Sequence, residues 1–330
     1  MSGSNYGKEF VISTFGESHG PGLGVIIDGA TPGMELSEED IQIQLRRRRP
    51  GQSVVSTPRF EADKCEIVSG VFEGKATGTP IMVLIRNTSE RSRDYHDIKD
   101  IFRPGHADYT FHNKFGFRDY RGGGRSSGRE TAARVAAGAI AMKMLEAENI
   151  KIQAYSLEIA GIRCEKFVPE CIETNDVRAC DPGVADIMKE KIMAAMKDHN
   201  SVGGIIECRI SGVPAGLGEP VFDKLDAELS KAIMSLGAVK GIEFGSGFAC
   251  ARMTGKEHND PIRPEGFLSN HAGGILGGIS SGQEIVFRAA VKPTASISQK
   301  QLTIDKEGQP AECEVFGRHD PCICPRIVPV

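Results

Sequence analysis

Residues 121–130, Arg-Gly-Gly-Gly-Arg-Ser-Ser-Gly-Arg-Glu, combine the residue types best suited to holding a small anion. Three consecutive glycines let the backbone bend sharply and approach a ligand closely. Ser127 and Glu130 have the spacing of a capping box, which predicts a helix whose first N–H groups face the loop. The three arginines add planar guanidinium groups that suit phosphate or carboxylate. The pattern predicts an anion-binding loop, with a flexible hinge before a helix as the alternative.

A first histidine with possible chemistry lies in residues 16–20, Gly-Glu-Ser-His-Gly, after a predicted strand. His19 stands between small residues, so its ring is expected to face whatever occupies the turn. Because histidine exchanges protons near neutral pH, His19 is a candidate general acid or base. An ordinary surface histidine in a turn is the alternative.

A second histidine, His106, lies in residues 103–108, Arg-Pro-Gly-His-Ala-Asp. Proline fixes the backbone of this turn, and Asp108 has the right position to cap a short helix over residues 109–115. The same acid–base argument applies to this ring. A capping turn with an incidental histidine is the alternative.

Further donors are spread along the chain. Four arginines at 46–49 end a predicted helix, where a solvated helix end is the alternative reading. Residues 270–282 form a second glycine cluster, and 292–296, Lys-Pro-Thr-Ala-Ser, offer an ammonium and two hydroxyls. Together with residues 317–321, Gly-Arg-His-Asp-Pro, they supply many donors and few apolar anchors. A cofactor that carries phosphate would need this balance.

Composition narrows the class of protein. The 330 residues carry a net charge of -4, which argues against general nucleic-acid binding. Nine cysteines without CxxC pairs of the metal-binding type, and without a secretory signal, favour reduced thiols and a cytoplasmic location. No apolar run is long enough for a membrane helix, which needs about 18 residues. No metal site is expected.

The elements that must position these residues follow from periodicity. Predicted strands cover residues 11–15, 23–28, 65–72, 80–86, 152–162, 205–213, 248–253 and 284–291. Predicted helices cover residues 37–49, 128–148, 186–197 and 223–236, the first of them with Ser37 as its cap before an acidic first turn. Adjacent strands mix with helices without regular βα alternation, which favours an α+β fold. No linker is visible, so we expect one domain over residues 1–330.

Read in order, these motifs closely resemble those of the chorismate synthase family, over essentially the whole chain. The matching segments are residues 14–20, 47–51, 102–110, 119–127, 212–218, 269–274 and 317–322. The resemblance implies a β-α-β sandwich with helices between antiparallel sheets, assembled as a homotetramer.

The resemblance also implies a lyase that converts 5-enolpyruvylshikimate 3-phosphate to chorismate and phosphate. The reaction is an anti-1,4-elimination with reduced FMN, and it is the last common step of aromatic amino-acid biosynthesis. NADPH is the implied reductant of the flavin, directly or through a separate reductase. An FMN-dependent oxidoreductase and a non-catalytic flavin- or phosphate-binding protein are the competing classes.

Roles for individual residues follow from the same resemblance. His19 would protonate or stabilise the departing phosphate, and His106 would stabilise the reduced flavin. Ser18 and Asp320 would relay a proton. FMN would be held by Arg125, Ser126, Ser127, Ala238, Gly278, Lys292, Pro293, Thr294, Ala295, Ser296 and Arg318. Substrate anions would be held by Arg48, Arg49, Arg129 and Arg134.

The chain departs from the family pattern at three positions. Gly237 stands where many members have asparagine, which leaves a backbone contact to flavin at Ala238 as the expectation. Gly128 replaces a common alanine. Val54 stands where many bacterial members have an arginine associated with NADPH, which argues against direct use of NADPH.

Overall fold

The computed structural model describes residues 3–57, 59, 61–88, 98–317 and 319–330. Arg318, which is predicted to hold FMN, lies outside the described residues. The α-helices are α1 (Glu38–Arg48), α2 (Asp108–Phe115), α3 (Thr131–Ala147), α4 (Pro182–Lys197), α5 (Leu225–Met234), α6 (Gly255–His258) and α7 (Cys324–Ile327).

The strands of the first half are β1 (Asn5–Tyr6), β2 (Val11–Gly16), β3 (Gly22–Asp28), β4 (Cys65–Ile67), β5 (Val71–Phe72), β6 (Lys75–Ala76) and β7 (Ile81–Arg86). Those of the second half are β8 (Lys151–Ile159), β9 (Ile162–Arg163), β10 (Gly204–Ser211), β11 (Val239–Phe244), β12 (Ile262–Arg263), β13 (Gly266–Phe267), β14 (Ile275–Leu276), β15 (Ile279–Ser280), β16 (Ile285–Val291), β17 (Gln301–Ile304) and β18 (Pro310–Cys313).

The first large sheet is antiparallel and has the strand order β1-β2-β3-β7-β4. Leu23, Val25 and Ile27 alternate along β3 and are buried. Because alternate side chains of a strand point to one face, these residues give the sheet a single apolar side. That side packs against α3, which in turn packs on α1.

The second large sheet is antiparallel with the order β11-β16-β10-β8-β9. Its apolar residues, such as Leu157, Ile159 and Ile206, pack with residues of α4 and α7 in one buried cluster. Helix α7 also contacts α1.

Helix α3 lies between the two sheets, in contact with β3 of the first and β8 of the second. Ala132, Ala133 and Ala136 are buried and small enough to let the backbones approach closely. The predicted α+β sandwich, with helices between antiparallel sheets, is therefore confirmed. Among the described residues, no helix is long and apolar enough to cross a membrane.

The helix starts predicted at Ser37 and at Ser127 had different outcomes. Ser37 caps α1, with a full capping box to Asp40, as expected for a serine before an acidic first turn. The capping box predicted for Ser127 and Glu130 is wrong. Ser127 Oγ accepts from the backbone N–H of Arg129 at a 3₁₀ turn over Gly128–Glu130, and α3 begins only at Thr131.

The carboxylate of Glu130 is engaged elsewhere, which explains the failure. It accepts from Thr14 Oγ1 at 3.2 Å and from Arg134 Nε at 2.9 Å. A charged guanidinium four residues along the helix competes strongly with a backbone N–H for such a carboxylate.

The strand predicted over residues 248–253 is also wrong. Gly247–Arg252 forms a 3₁₀ helix with Phe248 exposed, and the edge strand of the second sheet is β11 instead. The sequence of β11 contains Lys240 and Glu243, which weaken its apolar signal. Its pairing with β16 supplies the hydrogen bonds that local propensity did not indicate.

Candidate active site

His19 lies in the turn between β2 and β3. Its Nδ1 is 3.0 Å from Ser18 Oγ. The Asn87 amide donates to the carbonyl oxygens of Glu17 and Gly20, both at 2.8 Å. One side chain therefore pins both ends of the turn that carries the predicted Ser18–His19 pair.

The glycine-rich loop packs directly on the His19 ring. Gly122 has a φ of +74°, and a Cβ placed on it would lie 2.4 Å from His19 Cε1. A side chain at this position would displace the ring, so both the conformation and the space require glycine. The loop positions a histidine as well as forming a surface for an anion.

His106 is mostly buried beside Asp108. Its Nδ1 is 3.0 Å from Asp108 Oδ1, a hydrogen-bonding distance, although the angle falls outside that of a well-formed bond. Asp108 was predicted to cap α2. It is instead the first residue of that helix, and the N-cap position is Ala107, which has no side chain able to cap.

The Asp108 carboxylate is held by arginines rather than by the helix. Arg103 donates through Nε at 2.7 Å and Nη2 at 2.9 Å, and Arg118 Nη1 approaches to 3.3 Å. The Arg103 fork fits a carboxylate bidentately, and this outcompetes capping. Arg103 Nη2 also donates to the carbonyl of Gly122 at 2.8 Å. Since Gly122 touches His19, Arg103 joins the two histidine turns.

The electrostatics of this pair favour a charged carboxylate and a neutral ring. Burial alone would raise the pKa of Asp108, but the hydrogen bonds from Arg103 and the close approach of His106 outweigh it and hold that pKa well below its usual range. Burial lowers the pKa of His106, and the contact with Asp108 offsets this only in part. The ring is therefore neutral at pH 7 in the absence of ligand.

The predicted cofactor segment 292–296 meets the His106 turn. Lys292 Nζ donates to the carbonyl of Gly105 at 3.2 Å, and its backbone N–H donates to Ala238 at 2.9 Å. Ser296 Oγ is 3.5 Å from Arg103 Nη1. These contacts gather Ala238, Lys292 and Ser296 around the His106 turn.

Thr294 offers an unused polar atom in the same segment. Its Oγ1 is buried and has no hydrogen-bond partner among the described residues. Buried polar groups are nearly always paired, so a bound ligand is a natural partner for this hydroxyl.

Residues 125–127 of the glycine-rich loop are all engaged within the chain. Arg125 donates to the carbonyls of Thr14 at 3.2 Å and Gly16 at 3.1 Å, at the end of β2. Ser126 Oγ donates to the loop carbonyl of Gly123 at 2.7 Å. Their roles in binding FMN stay predictions, and the contacts show that Arg125 also fixes the approach to the His19 turn.

Two of the predicted substrate arginines are buried in a charged cluster. Arg48 and Arg129 share the carboxylate of Asp63, with Arg48 Nη1 at 3.0 Å from Oδ2. Burial lowers the pKa of Arg48, and Asp63 opposes that shift. Arg129 Nε donates to Asn87 Oδ1 at 2.6 Å, which links the cluster to the His19 turn.

Sequence reasoning missed Asp63, Asn87 and the pairing role of Asp108. Asp63 and Asn87 lie in segments without a motif, and neither spacing nor periodicity identifies them. For Asp108, the Arg-Pro-Gly-His-Ala-Asp motif itself was the available signal, because it places a carboxylate two residues after the histidine.

Contacts within the chain also engage the remaining predicted residues, Asp320, Arg134 and Arg49. Asp320 Oδ1 accepts from the backbone N–H of Thr57 at 2.9 Å, and Oδ2 accepts from Arg326. Arg134 pairs with Glu130, and Arg49 is the half-buried C-cap residue of α1. Their catalytic and substrate roles stay predictions.

Gly278 lies apart from Ala238 within this chain. Its carbonyl accepts from Leu225 at the start of α5 at 2.8 Å, whereas Ala238 follows the other end of that helix. A ten-residue helix is about 15 Å long. The structure therefore does not bring these two predicted FMN residues together in one subunit.

A cavity of about 1420 Å³ lies against both histidine turns. Its wall includes Glu17 beside the first turn, Asp108 beside the second, and Gly122 between them. Basic groups are supplied by Lys114, Arg118, Arg125, Arg134 and Lys231, acidic groups by Glu17, Asp108, Asp119 and Glu130, and aromatic surface by Phe111, Phe115 and Phe117. Cationic and aromatic walls suit a planar, phosphate-bearing molecule.

A second cavity of about 740 Å³ lies on the second sheet. Among the described residues, its wall contains none of the individual residues predicted to act in catalysis or ligand binding. The cavity of about 1420 Å³ borders both histidine turns and the glycine-rich loop, so it is the candidate active site.

Comparison with known proteins identifies relatives across the full fold. The sequence model of the family described as chorismate synthase matches residues 10–330. Chorismate synthase of Maridesulfovibrio salexigens is 55% identical over 330 residues, covering 100% of this chain and 94% of that protein. The enzyme of that name from Lachnospira eligens is 56% identical over 336 residues, covering 100% and 92%.

A crystal structure of chorismate synthase superposes with a TM-score of 0.73 at 34% identity. The match covers 87% of this chain and 85% of that one.

Proposed function

The chain belongs to the chorismate synthase family of lyases, and we propose that it converts 5-enolpyruvylshikimate 3-phosphate to chorismate and phosphate by anti-1,4-elimination. The observation that carries this proposal is the junction of two histidine turns beside one basic cavity, through Gly122 and Arg103. The substrate has a phosphate and two carboxylates, which such a cavity would attract.

We propose reduced FMN as the cofactor. When bound, it supplies electron density as phosphate leaves and recovers it as the hydrogen at C6 is lost. The unpartnered Thr294 hydroxyl, near Lys292 and Ser296, would offer a donor to a phosphate. The aromatic wall of the cavity, which these three residues do not line, fits a flat ring. Arg125, Ser126, Ser127, Pro293, Ala295, Gly278 and Arg318 remain the proposed further contacts.

His19 is proposed to protonate or stabilise the departing phosphate. Ser18 Oγ, 3.0 Å from Nδ1, and Gly122, packed on the ring, limit its rotation. His106 is proposed to stabilise the anionic cofactor by taking up a proton. Asp320 is proposed to assist proton relay with Ser18, and Arg48, Arg49, Arg129 and Arg134 to bind substrate anions.

The remaining features are proposed from family membership. They are a single domain over residues 1–330, a homotetramer and a cytoplasmic location. Because Val54 replaces the arginine associated with NADPH, we propose a separate flavin reductase as the source of electrons. In an anaerobic incubation of the protein with substrate, NADPH and FMN, chorismate should form only when a reductase is added.

An anaerobic assay with photoreduced FMN tests the proposed reaction. Phosphate and chorismate should form in equal amounts over many turnovers, while the flavin stays reduced. Flavin oxidation in step with product would contradict the elimination and favour an oxidoreductase. Flavin binding without any product would favour a non-catalytic binding protein.

A further inference from the structure

Asp108 is a buried carboxylate to which the proposed reaction assigns no role. It lies 3.0 Å from His106 Nδ1, and its exposed fraction is 6%. Two guanidinium groups surround its other sides, Arg103 in bidentate contact and Arg118 at 3.3 Å. A carboxylate needed only to hold a loop has its full complement of partners without the histidine.

We infer that Asp108 is a positioning residue that fixes the Nδ1–H tautomer of His106. In a neutral imidazole one nitrogen donates and the other accepts. An ionised carboxylate can only accept, so the nitrogen that faces it carries the proton. Nε2 is then left as the acceptor, ready to take up a proton when an anionic ligand binds. This last step rests on the proposed function, whereas the tautomer does not.

Arg103 keeps the arrangement in place. By binding both oxygens of Asp108, it holds the carboxylate ionised and in a fixed plane. The same guanidinium donates to Gly122, whose backbone packs on His19. The position of one histidine is therefore tied to that of the other through a single arginine.

The charges around His106 determine how it titrates. Asp108 favours the imidazolium, whereas Arg103 and Lys292 disfavour it. Burial also favours the neutral ring. Loss of the carboxylate would leave only influences that oppose protonation, so the imidazolium should become harder to form.

Nitrogen-15 NMR of the protein labelled at histidine tests the tautomer directly, without flavin or substrate. The His106 signals are identified by their loss in His106→Gln. In the unmodified protein at neutral pH, Nδ1 should carry the proton and Nε2 should be bare. An Nε2–H ring in the unmodified protein overturns the inference, whatever the variants do.

Asp108→Asn should shift His106 toward the Nε2–H form and lower its midpoint of titration by about one pH unit, equivalent to about 1.4 kcal/mol. Asp108→Glu should restore part of the effect. Asp100→Asn is the matched control, because Asp100 forms an exposed ion pair with Lys306 at 2.9 Å. An unchanged tautomer and midpoint in folded Asp108→Asn would mean that the carboxylate is merely structural.

The effect of Asp108 on turnover is tested in a separate experiment. With reduced FMN, Asp108→Asn should lower kcat by about 10²–10³-fold, within the range of lost acid–base catalysis, with KM changed less than about threefold. The acidic limb of its pH profile should move to lower pH. If the tautomer is as inferred but no chorismate forms in any variant, the proposed reaction fails and the positioning role stands.

Discussion

The turns that carry His19 and His106 are held by opposite means. The His19 turn is held by uncharged side chains, the Asn87 amide that donates to two of its carbonyls and the Ser18 hydroxyl beside the ring. The His106 turn rests on charges, with Asp108 between Arg103, Arg118 and the ring.

The difference teaches how one site can hold two histidines for different tasks. The Ser18 hydroxyl, 3.0 Å from Nδ1, orients the His19 ring, as suits a group that meets a departing phosphate. A fixed carboxylate sets the tautomer of His106 before any ligand arrives. Two rings of similar intrinsic pKa can therefore act separately.

Removal of either histidine ring should have the largest effect and tests whether both turns carry catalytic groups. His19→Ala and His106→Ala should each slow turnover by about 10²–10⁴-fold, because each removes an acid–base group. Steady-state assays with reduced FMN measure the loss. Wild-type turnover in both variants would remove the catalytic assignment.

Asp63 is the centre of the buried charged cluster that contacts the His19 turn through Arg129 and Asn87. Asp63→Asn should lower the free energy of unfolding by about 3–5 kcal/mol, because it leaves Arg48 and Arg129 buried and under-compensated. Urea unfolding measures the change. Asp176→Asn, which removes a partly exposed ion pair with Lys189, should cost less than about 1 kcal/mol. Equal effects would show that the buried cluster is not a structural support.

Asn87 tests whether the His19 turn needs its neutral clamp. Asn87→Ala removes two hydrogen bonds to the turn and one from Arg129, so kcat should fall about tenfold. The His106 tautomer should not change, since that ring has its own support. A variant with normal kcat would show that the His19 turn does not need the Asn87 clamp, and a changed His106 tautomer would show that Asn87 also supports the other ring.

The pH dependence of stability should differ between the charged His106 turn and the uncharged His19 turn, and this is the smallest of the expected effects. The pKa of Asp108 is depressed in the folded protein, so its stabilising contribution is complete above the unfolded value, about 3.9, and is lost as pH falls below it. Thermal unfolding between pH 6 and 3 should show a shallower pH dependence in Asp108→Asn than in the unmodified protein. Asn87→Ala should keep the normal slope. A normal slope in Asp108→Asn would contradict the ionic clamp.

Local signals predicted the parts of the fold that local contacts decide. Ser37 before an acidic turn gave the correct start of α1, and alternating apolar residues gave β3. Glu130 failed as a cap because Thr14, distant in sequence, and Arg134 compete for its carboxylate. The contact with Thr14 depends on tertiary structure and leaves no periodic trace, whereas the Arg134 pair is local.

The site followed the same rule. Glycine and histidine motifs identified His19, His106 and the loop at Gly122, because clustered glycines and histidines within glycine-containing turns are recognisable in the sequence alone. The groups that orient them, Asn87 and Asp108, are ordinary polar residues whose importance lies in what they face after folding. The resemblance to a family indicated the reacting groups. The side chains that orient them became visible only in the folded structure.

A single-turnover experiment under anaerobic conditions tests most directly whether the two histidines perform separate tasks in one elimination. Reduced FMN and substrate are mixed with each alanine variant, and flavin absorbance and phosphate release are followed together. His19→Ala should bind reduced flavin with the normal spectrum and release phosphate slowly, whereas His106→Ala should alter the flavin spectrum before substrate is added. Identical spectra and identical phosphate kinetics in the two variants would contradict the division of roles.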